Sequence, residues 1–435
     1  MNVRPGGSPR GLSPFGQHRQ LDSVLAEHWW AAVAAIARRS GDLEVAEDAV
    51  QEACAAAVAQ WPSAGFPPNP RAWLITTAWY KAVDSLRRET RRSEREAEAG
   101  LERAVLARGA DPPEPPAEPG SPGSAGDDEL ALICACCHPA LDLAARIALT
   151  LRCVCGLSTA EIAAVFVLPE PTIAQRIVRA KRKIRQAGIA LTVPRPEDLA
   201  DRLGTVLRVV YLVFTQGHRA TGGGELVRAE LCDRAVWLAR QLASGIPREP
   251  EITGLLALLL LTDGRRATRT GPDGELVLLA DADRGQWDQA KITEGEALIS
   301  SALRQGRPGP YQLHAAIAAC HSTAESAEAT DWPQIAALYR ELSRFEPTPV
   351  VIANQAVAVA MAEGPSAGLA MLDRLVDDGR LDRWPQLHVA RAELLARLGR
   401  SEAAGAAYET ALAAAELPVA ERDFISRRLA ELAAT

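Results

Sequence analysis

Aromatic residues make up only 5% of this 435-residue chain. Sheets draw on aromatic and β-branched side chains, whereas the alanine, leucine and arginine abundant here favour helix. Cysteine is also sparse. Eight in so long a chain are too few for a secreted disulfide scaffold, and a reducing compartment is expected. The longest aliphatic run, Leu255–Leu261, is far too short to cross a bilayer and reads as a buried helix. The first 20 residues are rich in glycine and proline and lack the apolar core of a signal peptide. No Gly-rich phosphate loop, zinc-protease helix or nucleophile elbow occurs, so nothing positive points to an enzyme or a cofactor. A cytoplasmic protein of two or three helical domains is expected, with no membrane segment.

The formal net charge is −7, which argues against a wholly basic nucleic-acid coat. Its distribution is uneven. Residues 1–194 carry 22 basic and 22 acidic side chains, and residues 195–435 carry 26 basic and 33 acidic ones. Within the first part, residues 96–129 hold nine acids against two arginines, together with Pro112, Pro113, Pro115, Pro116, Pro119 and Pro122. No core can form from that composition, so it reads as a flexible acidic linker whose first third, Ala97–Leu106, prolongs the preceding helix. A Pro-bounded joint, Val193-Pro194-Arg195-Pro196, leads into some 240 residues of mostly helical periodicity. The exception is Gly271–Leu279, a turn followed by a short apolar run, which reads as a hairpin arm or a long loop. Near the C-terminus Ala404, Tyr408 and Ala411 share a helix face after Leu398-Gly399-Arg400, and Gly364 precedes Gly399 by 35 residues. That spacing suits a tetratricopeptide-type helical-hairpin repeat.

The sharpest motif is Leu157–Arg185. Ser158 with Glu161 three residues on is a capping box. Pro169 turns the chain, and Pro171 suits the first turn of a second helix. Ile173, Ile177 and Ile184 form the buried stripe of that helix. Thr172, Gln175, Arg176 and Arg179 are left on its outer face, followed by Lys181, Arg182, Lys183 and Arg185. Residues 170–186 hold six basic groups against one acid. Such a helix can place polar and arginine side chains at base edges in the major groove and neutralise phosphates with its basic end. A second basic stretch, residues 71–95, interleaves Trp73, Trp79 and Tyr80 with seven basic groups. Rings beside arginines suit unstacked bases, although Trp73 reads as core.

Two basic helical modules joined by an acidic linker resemble an extracytoplasmic-function sigma factor of the sigma-70 family. Val45–Ala57 resembles the helix that grips the clamp helices of RNA polymerase, with Asp48, Gln51 and Glu52 at the polar positions. Pro70–Arg88 resembles the helix that opens and reads the minus-ten element, and the loop Trp61–Asn69 falls where a flipped base is captured. By that resemblance Phe66, Asn69, Lys81, Arg87, Arg88 and Arg91 contact minus-ten DNA. Leu157–Arg185 resembles the minus-35 reader, with Thr172, Gln175, Arg176, Arg179, Lys181, Arg182 and Lys183 at the DNA. The strings CCHPAL (Cys136–Leu141), GPYQLHAAIAACH (Gly309–His321), TDWPQIAALY (Thr330–Tyr339) and RAELLARLGR (Arg391–Arg400) resemble a subgroup with a long tetratricopeptide-like C-terminal extension. Trp79-Tyr80 and Phe214–His218 depart from the family pattern.

The resemblance implies an all-α protein. It would have a disordered N-terminus (1–19), a polymerase-binding and minus-ten domain (20–96), a linker (97–127), a minus-35 domain (128–192) and a helical extension (195–435). Its partners would be core RNA polymerase, through the clamp helices and flap, and promoter DNA, with a soluble protein partner for the extension. The alternative is a stand-alone helix-turn-helix regulator with a C-terminal ligand- or protein-sensing domain. Cys134, Cys136, Cys137 and His138, with Cys153 and Cys155 nearby, have poor spacing for zinc and read as packing. No metal is expected. Asp281, Asp283 and Arg284 read as a surface ion pair, and His314, His321 and His388 have no evident partners.

Overall fold

A computed structural model describes residues 14–101, 125–166, 168–192, 196–218, 228–272, 274–414 and 417–433. Among them are 18 α-helices and no β-strand. The all-α expectation holds because the periodic segments are alanine- and leucine-rich and their ends carry strong caps. The chain divides into two compact units, Met1–Ala163 with Leu168–Val206, and Ala164–Val167 with Leu207–Thr435.

In the first unit, α1 (Pro14–Ser40), α2 (Leu43–Ala64) and α3 (Pro70–Leu101) pack together. Proline at a helix start has its φ preset and lacks only a donor that would be orphaned anyway. That accounts for α1 beginning at Pro14, inside the segment expected to be unstructured. The helices approach closely because their shared face is largely alanine: Ala31, Ala32, Ala34, Ala46, Ala53, Ala57, Ala78 and Ala82 are buried. Asp42 caps α2, accepting from the backbone N–H of Glu44 and Val45 at 2.8 and 3.3 Å. The helical prolongation expected from Ala97 is present as far as Leu101. The rest of the linker, and the joint Val193–Arg195, lie outside the described residues.

α4 (Ala125–Cys136), α5 (Leu143–Cys153), α6 (Thr159–Phe166) and α7 (Glu170–Gln186) follow. The capping box forms reciprocally. The Ser158 N–H donates to Glu161 Oε2 at 2.8 Å, and the Glu161 N–H donates to Ser158 Oγ at 3.2 Å. Pro169 precedes α7 with extended backbone, and Ile173, Ile177, Ala180 and Ile184 are buried. The divide between the units falls within α8 (Pro196–His218).

The second unit continues through α9 (Ala229–Gly245), α10 (Pro250–Asp263), α11 (Gln289–Leu303), α12 (Pro310–Thr323) and α13 (Trp332–Phe345). The Leu255–Leu261 run is wholly buried in α10, which is wrapped by α9, α11 and α12. Between α10 and α11, the Gly274 N–H donates to the Gly271 carbonyl at 3.0 Å, and a single antiparallel bridge joins Thr270 to Leu276, with no strand among the described residues. Antiparallel pairs complete the unit: α14 (Pro349–Glu363) with α15 (Pro365–Asp378), then α16 (Pro385–Arg397) with α17 (Ser401–Ala414), and finally α18 (Val419–Ala433). Gly364 and Gly399 sit at equivalent inter-helix turns with φ of 109° and 71°, a region that side-chain-bearing residues rarely adopt. Gly368 lets α15 close on α14, since a Cβ there would meet Ala356 O and Ala360 Cβ at 2.4 Å. Ala404, Tyr408 and Ala411 are fully buried on one face of α17.

Candidate nucleic-acid interface

Helix α7 has three faces. Its isoleucine stripe is buried against α5. On a second face, Thr172, Gln175, Arg176, Arg179 and Lys183 line one hollow of about 250 Å³ with Leu141, Asp142 and Ala145 at the start of α5. Five of the seven residues expected at minus-35 DNA are therefore gathered on one concave surface, and Arg182 is exposed beside them. Arginine and glutamine there have the donor geometry for guanine and adenine edges.

The third face is committed within the protein. Lys181 Nζ lies 2.6 Å from Glu47 Oε2, and both side chains are largely withdrawn from solvent at 15% and 13% exposure. Arg185 reaches Asp42 at 2.7 Å and also pairs with Glu44. These bonds to Glu44 and Asp42 hold the Arg185 guanidinium firmly protonated, above its ordinary range. Cys153 Sγ donates to the other oxygen of Glu47 at 3.1 Å. The basic end of the helix-turn-helix is thus tied to the acidic start of α2.

The same acidic run continues into the residues expected to meet polymerase. Asp48, Gln51 and Glu52 are exposed on α2. The Asp48 carboxyl titrates above its ordinary range, chiefly through partial burial and then through the neighbouring charges of Glu44 and Glu47. Glu52 pairs loosely with Lys81 of α3 at 3.4 Å, both side chains remaining substantially exposed.

Around the loop after α2, Trp61 is buried with its ring 5.3 Å from Trp73 and 5.5 Å from Phe66. Trp73 belongs to the packing, as its sequence position suggested, and Phe66 is exposed at the edge of the cluster. The loop is shorter than Trp61–Asn69, because α2 runs through Pro62 to Ala64. Asn69 uses its side-chain oxygen to cap α3, accepting from the Ala72 N–H at 3.0 Å. Arg87 and Arg88 are exposed on α3. Arg91 lies on α3 where side chains are outside the described residues. Tyr80 is 67% exposed, whereas Trp79 is half-buried under the Arg39 guanidinium, 5.7 Å from its ring centroid.

Cys134, Cys136, Cys137 and Cys153 are buried between helices. Burial pushes the Cys134 thiol up to about 12 and the Cys137 thiol still higher, so the thiolate that a metal needs is disfavoured. Asp281, Asp283 and Arg284 show no mutual ion pair among the described residues. Asp283 instead accepts from the Gly285 N–H at 3.0 Å, and Arg284 donates to the carbonyls of His321 and Ala324 at 2.9 and 2.8 Å. His314 meets Glu346 at 3.2 Å and His388 meets the Asp382 carbonyl at 2.9 Å.

A basic helix-turn-helix and an aromatic-basic helix, carried by an acidic chain, define a protein that reads DNA. Residues 25–92 match the model for sigma-70 region 2, and residues 134–184 match that for sigma-70 region 4. Residues 202–303 match a family of unknown function (DUF6596). The chain belongs to the sigma-70 family and carries a C-terminal extension. Proteins of that family are transcription initiation factors. A protein of Rhizobium meliloti (strain 1021), described as uncharacterized, is 43% identical over 415 residues, spanning 95% of this chain and 96% of its own length. No solved structure matches the chain. No helix among the described residues is long and apolar enough to cross a membrane.

Sequence reading missed the contacts from Asp42, Glu44 and Glu47 to Lys181 and Arg185. The signal was present as an acidic run at the start of α2 and a basic run at the end of α7. Nothing along the chain links residues more than 130 positions apart.

Proposed function

We propose that this sigma factor binds core RNA polymerase through the Asp48–Gln51–Glu52 face of α2. In that reading α3 and the loop before it engage the minus-ten element, and α7 reads the minus-35 element. It is of the extracytoplasmic-function type, works in the cytoplasm, and has a tetratricopeptide-like extension that regulates the promoter-reading unit. The observation that carries the reading is the gathering of Thr172, Gln175, Arg176, Arg179 and Lys183 on one concave face of α7, within the segment that matches sigma-70 region 4. The exposed polar face of α2, within the segment that matches region 2, supports the polymerase contact. The test is transcription of genomic fragments by purified core polymerase with and without this protein. Promoter-specific transcripts are expected only when it is present. Their absence, together with retained binding to DNA, would favour a stand-alone regulator.

The ion pairs between α7 and α2 add a conformational step to this reading. Lys181 and Arg185 cannot neutralise phosphates while they neutralise Glu47, Asp42 and Glu44. Polymerase binding at the neighbouring Asp48 and Glu52 competes with the same acidic surface, so holoenzyme assembly releases the basic end of α7 for DNA. Regulation by the extension (195–435) predicts that a chain ended after Pro194 drives less transcription than the full chain at equal level. Equal output would remove the extension from the mechanism.

A further inference from the structure

The second unit contains a charge arrangement that promoter reading does not use. At the end of α10 the carboxylate of Asp263, closed off from solvent, takes both nearby cations, Lys291 at 2.7 Å and Arg266 at 3.4 Å. Arg266 also reaches Asp233 at 3.0 Å. Among the described residues the adjacent Arg265 has no such partner: its Nε is shut away from solvent and meets no hydrogen-bond acceptor, and no carboxylate is paired with its guanidinium. Burial, with the like charges of Arg269 and Arg284, pushes Arg265 down to about 10, which still leaves it protonated at neutral pH. An unpaired buried cation is costly unless a counter-charge meets it.

Arg265 opens onto a cavity of about 260 Å³. Arg269, His218, Thr262 and Thr268 share its polar side, and Leu276–Leu279 form the apolar side. The Thr268 hydroxyl is already engaged, donating to the Arg265 carbonyl at 3.2 Å and accepting from Trp287 Nε1 at 2.8 Å. Among the described residues the hydroxyl of Thr262 is not engaged in this way. Arg269 Nη1 lies 3.0 Å from His218 Nδ1. Burial first, then Arg269, Arg265 and Arg266, drive His218 down to about 3. On the far side, burial and then Arg265 and Arg284 drive His321 down to about 4. Both histidines are therefore neutral at pH 7 and add no charge to the arginine cluster. Among the described residues no carboxylate lines the cavity.

We propose that this cavity is a binding site for a phosphate group, with Arg265 as its principal donor and Thr262 and Arg269 beside it. An arginine fork matches phosphate oxygens with two parallel hydrogen bonds, and a dianion suits a site where several cations converge. The occupant is small, either free inorganic phosphate or a compact phosphomonoester whose carbon skeleton lies along Leu276–Leu279. Binding there would place a metabolite signal inside the extension.

The test uses the full chain at constant ionic strength and reads binding alone, so its outcome does not depend on transcription. Inorganic phosphate and glycerol phosphate are titrated in separate arms, with chloride as the control. A saturable rise in Tm and broadening of the phosphorus NMR signal are expected in at least one phosphate arm. A larger response to glycerol phosphate assigns an organic phosphate, and an equal or larger response to inorganic phosphate assigns the free ion. Arg265→Gln should abolish the rise without lowering Tm in the absence of phosphate, because it removes an unpaired cation. Arg266→Gln, which breaks the pairs to Asp263 and Asp233, should lower the starting Tm and keep the rise. Should Arg265→Gln fail to fold, signal broadening with wild type and with Arg266→Gln decides the matter. No response in either phosphate arm, or an equal response in wild type and Arg265→Gln, overturns the proposal.

Discussion

Replacing Glu47 with glutamine should make the free protein bind minus-35 DNA more tightly. The substitution keeps the shape of the side chain and removes the charge that holds Lys181 at 2.6 Å. Exposed ion pairs contribute about 0.2–1 kcal/mol, and breaking a fully buried one costs about 3–5 kcal/mol. At 15% and 13% exposure the Lys181–Glu47 pair lies between these limits, so about 1–3 kcal/mol is expected. The Arg185 pairs, with that side chain half exposed, add about 0.5 kcal/mol each. Relaxing only the Lys181 contact should therefore shift the opening of α7 from α2 by roughly 5- to 150-fold. Fluorescence anisotropy with a labelled minus-35 duplex reads this directly. Any loss of acidic charge near DNA also strengthens binding slightly. Glu52→Gln is the control, because Glu52 lies on the same helix and pairs with Lys81 instead. Glu47→Gln should exceed Glu52→Gln by at least about fivefold at low salt, with the gap narrowing as salt rises. Equal effects of the two changes would refute the argument, and weaker DNA binding by Glu47→Gln would reverse it.

Arg176→Ala and Arg179→Ala should each cost about 1–3 kcal/mol in promoter binding where they contact bases, with relaxed specificity at one position. A phosphate contact would instead weaken all promoters alike and reduce the salt slope. Asp48→Arg with Glu52→Arg should abolish co-purification with core polymerase while leaving helicity by circular dichroism unchanged, and unaltered binding would remove α2 from the interface. Ser158→Ala should lower stability by about 1 kcal/mol in denaturant titrations by losing one half of the capping box, and an unchanged midpoint would count against that box. Metal analysis of protein purified without added zinc should read well under one equivalent. A stoichiometric metal lost on converting Cys136 and Cys137 to serine would contradict the packing role of those thiols.

The local devices are legible along the chain. A capping box is a four-residue pattern, so Ser158 and Glu161 could be paired on inspection and are paired in space. The turn at Pro169, the isoleucine stripe of α7 and the buried α10 follow from backbone restriction and periodicity, which are also local. Gly364 and Gly399 marked equivalent turns because few other residues tolerate their φ. Helix starts were less legible, as α1 shows, since a Gly/Pro-rich flank does not prevent a proline from opening a helix. What the tertiary structure decided is which charges meet. Lys181 and Arg182 are neighbours in a single basic run, yet one is locked to Glu47 and the other is exposed. Arg265 and Arg266 are likewise adjacent, and among the described residues Arg266 has two carboxylates while Arg265 has none. Helical rotation of about 100° per residue sends adjacent side chains to different surroundings. Their partners come from remote segments whose approach depends on the packing of the whole unit.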